Sequence, residues 1–159
     1  MLKNILSPAE CADCRLCCSF DRYDLWETPV IYEEMKNSLK ELYPSLEFIS
    51  RGKSFLFRME ESENGLYYCP MLTDTGCMLG DSKPFDCRIW PYRIMDLNGT
   101  LVISIASICD AMYGRPLRRL VEELDRGLAD IIFEEAAKHP DIIKEYQDGY
   151  PILKAMPAT

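Results

Sequence analysis

Cysteines are the residues of this chain whose type and spacing could carry chemistry. The stretch CADCRLCC, from Cys11 to Cys18, holds four cysteines in eight residues, and the last two are adjacent. These four are Cys11, Cys14, Cys17 and Cys18, and the later four are Cys69, Cys77, Cys87 and Cys109. Thiols serve in disulfide bonds, in metal-ion sites, in iron–sulfur clusters and as catalytic nucleophiles, so these four uses must be separated.

Disulfide bonds and a catalytic thiol are the weaker interpretations. The N-terminal stretch MLKNILSPAE lacks the long apolar core of a signal peptide, so we expect a cytoplasmic protein. A reducing compartment keeps thiols free, and the loops inside CADCRLCC are very short for disulfides. A catalytic thiol usually needs a basic partner, and the only histidine, His139, sits at the end of a predicted helix. Metal or cluster binding is therefore the leading interpretation.

The cysteine spacing favours an iron–sulfur cluster over structural zinc. Structural zinc typically uses two CxxC-like pairs, and only the first block of this chain has that spacing. Three cysteines at C-x2-C-x2-C, with a remote Cys69-Pro70, are typical of ferredoxin cluster ligation. We predict one [4Fe–4S]-type cluster, with zinc as the alternative. The remaining thiols bind a second metal or stay buried, and Cys109 fits a core thiol as well as a ligand.

The first block also predicts which thiols act together. The run SPAE just before Cys11 is a helix start signal. At about 100° per residue, Cys11, Cys14 and Cys18 would share one helix face, and Cys17 would point elsewhere. The alternative is a ferredoxin-like wrap, in which the first three cysteines act together outside a helix.

The elements that must position these cysteines follow from the apolar pattern. Helices are predicted from Thr28 to Pro44 and from about residue 116 to His139, with a short helix around residues 142–146. Two strand pairs are predicted at LEFISRGKSFLFRME and at YRIMDLNGTLVISIA, the second turning at Asn98-Gly99.

One segment between these elements needs a separate explanation. Residues from Cys69 to Pro91 are rich in Gly, Pro and Asp, so we expect metal binding to order them. The fold class predicted is α+β: a small single domain over residues 1–159, with helices packed on a short antiparallel sheet. It includes a cysteine-rich, metal-ordered loop and a C-terminal helical part from about residue 116.

Composition and missing motifs limit the partners and reactions. The net charge of −8 argues against nucleic acid and anionic membrane surfaces, which select basic patches. The longest apolar stretch, LVISIASIC, is too short to span a bilayer. No P-loop, Rossmann-type glycine motif or HExxH zinc motif occurs. We expect an unidentified protein partner, no nucleic acid and no membrane.

The two cysteine blocks together resemble the CxxCxxCC family of zinc- or iron-chelating domains, also called YkgJ-type cysteine cluster proteins. The second block, CPMLTDTGCMLGDSKPFDCRIWP, matches at Cys69, Pro70, Leu72, Gly76, Cys77, Pro84, Cys87, Arg88 and Pro91. Leu79 and Lys83 stand where the family usually has tyrosine and arginine, so a role that needs a bidentate guanidinium there is not carried over. The resemblance covers roughly the first two-thirds of the chain.

The resemblance implies a metal or iron–sulfur site at Cys11, Cys14, Cys17, Cys18, Cys69, Cys77 and Cys87. One relative, the flagellin lysine N-methylase, is similar in these blocks, is longer, carries a [4Fe–4S] cluster and uses S-adenosylmethionine. This similarity implies an alternative function as an S-adenosylmethionine-dependent methyltransferase, whose cofactor would bind at Arg88 and Trp90. Otherwise we expect these two side chains and their neighbours Asp86, Tyr92 and Arg93 to hydrogen-bond the thiolates and cover the metal.

The leading prediction is therefore a cytoplasmic metal-binding protein that holds an iron–sulfur cluster. It would act as a redox or structural module, or as an accessory to a partner enzyme. A zinc-stabilised interaction domain is a third hypothesis.

Overall fold

Helices and short strands alternate along residue 2 and residues 5–158, which the computed structural model describes. The helices are α1 (Pro8–Cys14), α2 (Glu33–Leu42), α3 (Phe85–Ile89), α4 (Leu117–Glu123) and α5 (Ala129–Lys138). The strands are β1 (Ser19–Phe20), β2 (Phe48–Arg51), β3 (Ser54–Phe57), β4 (Glu60–Glu61), β5 (Tyr67–Tyr68), β6 (Leu72–Thr73), β7 (Gly76–Cys77), β8 (Tyr92–Leu97), β9 (Thr100–Ile105), β10 (Lys144–Glu145) and β11 (Ile152–Ala155). The α+β class is as predicted. Met1, Lys3, Asn4 and Thr159 of the predicted domain lie outside the described residues.

A four-stranded sheet forms one side of the main core. Its strand order is β10-β8-β9-β11, with β10 parallel to β8 and the other neighbours antiparallel. The β8–β9 hairpin turns at Asn98-Gly99 as predicted, and both residues have positive φ, 53° and 87°. Leu120, Leu124 and Ile132 from the C-terminal helical segment are buried in the same cluster as the sheet residues.

The C-terminal helical segment is interrupted, although the sequence predicted one continuous helix. Leu124–Leu128 form a wider π turn between α4 and α5, and Gly127 there has φ 112°. Beyond α5, the predicted helix around residues 142–146 is wrong. The chain makes a 3₁₀ turn at Pro140–Ile142 and then pairs as β10 with β8. Among the residues that the structure describes, no helix combines the length and apolar character needed to cross a membrane.

Helix α2 begins later than predicted. It was predicted to start at Thr28, but the residues that follow form tertiary hydrogen bonds instead. The Val30 N–H donates to Asp86 Oδ2 at 3.0 Å, and Ile31 forms an antiparallel bridge with Phe55. These contacts hold the backbone extended, so the helix starts only after them.

The segment from Cys69 to Pro91 has more regular structure than its composition predicted. It contains the β6–β7 hairpin, a 3₁₀ turn at Gly80–Ser82 and helix α3. Four of its apolar side chains are buried: Met71, Leu79, Phe85 and Ile89. Apolar packing therefore contributes to the order of this segment, and the ordering role of metal stays a prediction.

Two contacts place the first cysteine block beside the second. Strand β1 pairs antiparallel with β5, and just beyond the pair the Cys69 N–H donates to the Cys18 carbonyl at 3.0 Å. Helix α1 also packs on β7 at Gly76. A Cβ added to Gly76 would lie 3.1 Å from the Ala12 Cβ, so only glycine allows this approach without a shift.

We expect Gly76→Ala to weaken the packing of α1 on β7. The substitution adds the close contact with Ala12 and leaves the new side chain at φ 108°, a conformation that side chains rarely adopt. Urea denaturation should show a loss of about 1–3 kcal/mol in the free energy of unfolding beyond that of Gly127→Ala.

Gly127→Ala is the matched control, since its φ is 112° and nothing lies within 4 Å of the added Cβ. It should carry the backbone strain alone. Equal losses in the two variants would contradict the packing role of Gly76.

Candidate metal centre

The first cysteine block is only partly helical. The predicted capping box is present at the start of α1, where the Glu10 N–H donates to Ser7 Oγ and the Ser7 N–H donates to Glu10 Oε2. The helix ends after Cys14 because Arg15 is left-handed, with φ 57°. A 3₁₀ turn over Leu16–Cys18 follows.

The left-handed Arg15 brings the adjacent thiols together. It breaks the regular rotation of about 100° per residue on which the helical prediction depended. The Sγ atoms of Cys17 and Cys18 lie 4.0 Å apart, so the prediction that they point to different places is wrong.

A cavity of about 290 Å³ gathers thiols from both blocks. Helix α1, the 3₁₀ turn after it, the end of β5, strand β7 and helix α3 each contribute to its wall. Six of the eight cysteines line it, namely Cys11, Cys17, Cys18, Cys69, Cys77 and Cys87. The structure thus brings together thiols that are some fifty residues apart in sequence.

A second cavity of only about 10 Å³ shares part of this wall. Its cysteines are Cys11, Cys14, Cys17 and Cys109. Cys11, Cys17 and Trp90 line both cavities. Every cysteine predicted as a ligand therefore lines one cavity or both.

Burial makes these thiols hard to ionise. Burial, followed by the neighbouring Cys17, raises the pKa of Cys11 to about 11, and burial raises the pKa of Cys69 to about 12. The hydrogen bond with Cys18 and then burial raise the pKa of Cys17, and burial also raises the pKa of Cys87. A cation among these sulfur atoms would reverse this preference and stabilise the thiolates.

The donor chemistry fits a soft metal, although the side chains are not in ligating positions. In residue 2 and residues 5–158, no group of three or more His, Cys, Asp or Glu side chains is arranged to hold a metal ion. All eight cysteines are free thiols. Sulfur-only donor sets select zinc, copper(I) or iron–sulfur clusters. Binding such a group requires the thiols to turn toward a common point and lose their protons.

A buried ion pair anchors the helix that carries Cys87. The Lys144 Nζ donates to the Leu25 carbonyl at 2.5 Å and lies 3.2 Å from Asp86 Oδ2, which also accepts the Val30 N–H. Burial lowers the pKa of Lys144, and the Asp86 carboxylate opposes this decrease. Sequence reasoning missed Lys144, because a single lysine in a polar segment gives no signal of burial.

Three side chains expected to contact thiolates form their hydrogen bonds elsewhere. Asp86 bonds to Lys144 and Val30, as described above. The Tyr92 hydroxyl donates to the Leu120 carbonyl at 2.8 Å in the core. The Arg93 guanidinium donates to the Trp26 carbonyl and lies 4.3 Å from the centre of the Trp26 ring. All three also line the large cavity, and their contacts with thiolates stay a prediction.

Arg88 and Trp90 line the large cavity as well. The Arg88 Nε is buried and has no hydrogen-bond partner among the described residues, while its guanidinium lies 5.4 Å from the centre of the Phe85 ring. Lys83 lines the cavity too and opposes the increase in pKa of Cys11 and Cys17. The sulfur-rich wall therefore has cationic side chains beside it.

Comparison with protein-family models, curated proteins and solved structures finds no match for this chain.

Removing Lys144 should destabilise the protein more than removing an exposed lysine. Lys144→Ala leaves the Asp86 carboxylate without its cation, and the Asp86 side chain is only 18% exposed. We expect a loss of about 2–4 kcal/mol in the free energy of unfolding, measured by urea denaturation.

Lys154→Ala is the control, because Lys154 pairs with Asp125 at the surface, where an ion pair contributes about 0–1 kcal/mol. A loss at Lys144 no larger than at Lys154 would contradict the anchoring role.

The metal-free protein should lose stability in alkaline solution. The folded-state pKa values of Cys11 and Cys69, about 11 and about 12, lie above the ordinary 9.0. The folded state then holds more protons than the unfolded state above pH 9, so the free energy of unfolding falls as pH rises toward 12.

Urea denaturation of protein freed of metal by a chelator, repeated between pH 8 and pH 11, measures this decrease in the free energy of unfolding. The double variant Cys11→Ser/Cys69→Ser should show a shallower decrease. Identical slopes in the two proteins would contradict the assignment.

Proposed function

We propose that this protein binds metal through cysteine thiolates and that the large cavity holds an iron–sulfur cluster, most simply of the [4Fe–4S] type. The observation that supports this best is the presence of six thiols from two distant blocks on the wall of one cavity. Free cysteines occur singly in cores, where they pack as small apolar residues. Six of them around one space favour ligand binding over simple core packing.

The cavity size favours a cluster over a single ion. A space of about 10–15 Å³ is enough for one water-sized group, whereas this cavity measures about 290 Å³. Cys69-Pro70, a cysteine followed by proline, agrees with cluster ligation. A bound cluster would supply redox chemistry or a structural cross-link, and Cys18, Cys69, Cys77 and Cys87 are its natural ligands.

Arg88 and Lys83 would act on such a cluster through charge. Four thiolates around a cluster carry net negative charge, which nearby cations offset. The buried Arg88 Nε lacks a partner among the described residues and could donate to a sulfur atom. In this role Arg88 and Trp90 cover the centre and tune it.

A protein partner fits the surface around the cysteines. Four exposed apolar side chains are sequence neighbours of candidate ligands: Leu16, Tyr68, Met78 and Ile108, each between 39% and 47% exposed. Apolar side chains of this kind suit a transient protein contact. We therefore propose a redox or structural module, or an accessory protein, in a reducing compartment such as the cytoplasm. Membership of the CxxCxxCC family is part of this proposal.

The alternative is an S-adenosylmethionine-dependent methyltransferase with its cofactor at Arg88 and Trp90. The cavity is at the lower end of the range for small-molecule sites, about 300–1,000 Å³, and a cluster would take part of it. Calorimetric titration of anaerobically purified protein with S-adenosylmethionine separates the two functions. Micromolar binding that is lost in Arg88→Gln would favour the methyltransferase.

Anaerobic purification followed by iron, sulfide and zinc analysis tests the cluster. We expect a brown protein with visible absorption, and the loss of iron, sulfide and colour in Cys69→Ser and Cys87→Ser. Met78→Ser is the matched control, because Met78 adjoins Cys77 but its side chain is 46% exposed. It should keep full iron content.

Three results would contradict the proposal. Colourless protein that contains only zinc would favour the zinc-stabilised domain. Protein without any metal would remove metal binding altogether. Full cluster content in both cysteine variants would show that the large cavity does not hold the cluster.

A further inference from the structure

The small cavity points to a second metal centre beside the first. We propose that Cys11, Cys14, Cys17 and Cys109 bind a single Zn²⁺ ion, separate from the cluster. The division of the eight thiols into two sets of four rests on the proposed function, because the cluster takes the other four.

The lining of the two cavities divides most of the thiols without ambiguity. Cys14 and Cys109 line only the small cavity, whereas Cys18, Cys69, Cys77 and Cys87 line only the large one. Only Cys11 and Cys17 line both. The large cavity thus has four thiols of its own and the small cavity has two. The two shared thiols are available to complete a four-thiol site at the small cavity.

The spacing of the first block assigns the two shared thiols. Cys11 and Cys14 form a C-x2-C pair, the spacing with which two cysteines hold one zinc ion. The Cys17 and Cys18 sulfur atoms lie 4.0 Å apart, but only Cys17 lines the small cavity as well as the large one. Cys18, whose carbonyl accepts the Cys69 N–H, belongs with the second block. Cys17 then completes the small site.

The size and donors of the small cavity specify a single ion. Its volume of about 10 Å³ is close to that of one water-sized group, so it has no room for a cluster. Four thiolates around one ion make the tetrahedral sulfur site that structural zinc prefers. The rest of the lining is apolar except for the Glu10 carboxylate, which pairs with Arg115; it consists of Leu6, Glu10, Leu16, Trp90 and Ala111.

Contacts outside the ligand set already hold the two walls of this cavity together. The Arg115 guanidinium pairs with Glu10 of α1 at 2.7 Å and donates to the Ala111 carbonyl at 2.8 Å. Ala111 lies in the 3₁₀ turn Asp110–Met112 that directly follows Cys109. Cys109 itself is buried, with 6% of its surface exposed. The ion would therefore join α1 to the segment that follows β9 of the four-stranded sheet, at a place where the two already meet.

Metal analysis per chain of anaerobically purified protein tests the second centre. Wild-type protein should contain one zinc ion in addition to the iron and sulfide of the cluster. Cys14→Ser and Cys109→Ser should lose the zinc and keep the iron, sulfide and visible spectrum. Cys77→Ser should show the reverse, losing the cluster and keeping the zinc.

Cobalt(II) substitution gives a readout that does not depend on the cluster. Cys77→Ser protein, stripped of metal and titrated with Co²⁺, should show the intense thiolate-to-cobalt charge-transfer absorption of a tetrahedral thiolate site. The double variant Cys77→Ser/Cys109→Ser should not. Circular dichroism checks that each variant is folded. The zinc content of wild-type protein tests the second centre without any substitution.

The outcomes separate this inference from the proposed function. Wild-type protein with a cluster and no zinc, or zinc retained in folded Cys109→Ser, overturns the second centre and leaves the cluster. Joint loss of zinc and iron in Cys14→Ser and Cys109→Ser shows that all eight thiols serve one site, which also overturns the division. Protein without any metal overturns both proposals.

Discussion

The backbone hydrogen bond from Cys69 to Cys18 is the link on which the arrangement of the thiols depends. It extends the two-residue pairing of β1 with β5, which is too short to be stable alone. Its support comes from apolar packing, since Phe20, Met71 and Leu79 share one buried cluster beside it. The cysteine site is thus built on a small core of its own, and the sheet holds it from the other side through Asp86 and Lys144.

Burial and mutual proximity explain why the thiols of this space are hard to ionise. Buried sulfur atoms this close to one another resist ionisation, and the nearby cations that could favour it are few. Lys144 is engaged by Asp86 and the Leu25 carbonyl, while Arg88 and Lys83 remain beside the cavity. A protein that only needed to fill this volume could do so with alanine or valine, without raising the pKa of any group. In the proposed function, a metal that replaced their protons would stabilise these thiols.

Local sequence signals predicted the features that need no distant partner. The SPAE capping box and the Asn98-Gly99 hairpin turn formed as expected, because their hydrogen bonds lie within a few residues. The extended backbone before α2, strand β10 and the left-handed Arg15 were missed. The first two depend on pairing with residues far along the chain, and the third is a single left-handed backbone conformation. Hydrophobic periodicity encodes neither. The cysteine positions indicated metal, but their division between two cavities depends on tertiary structure alone.

The distance along the chain between the cysteines affects how the protein is made. Cys11 precedes Cys109 by 98 positions, so translation exposes the first block long before its last neighbour exists. Closing so long a loop costs more entropy than closing a local turn, and contacts with Cys109 cannot form before it is synthesised. Until then, four reactive thiols lie on an unfinished nascent chain, open to oxidation and to capture of the wrong metal. If the chain binds metal as proposed, loading would be a late step of biosynthesis and would depend on a cell that keeps these thiols reduced until synthesis of the chain is complete.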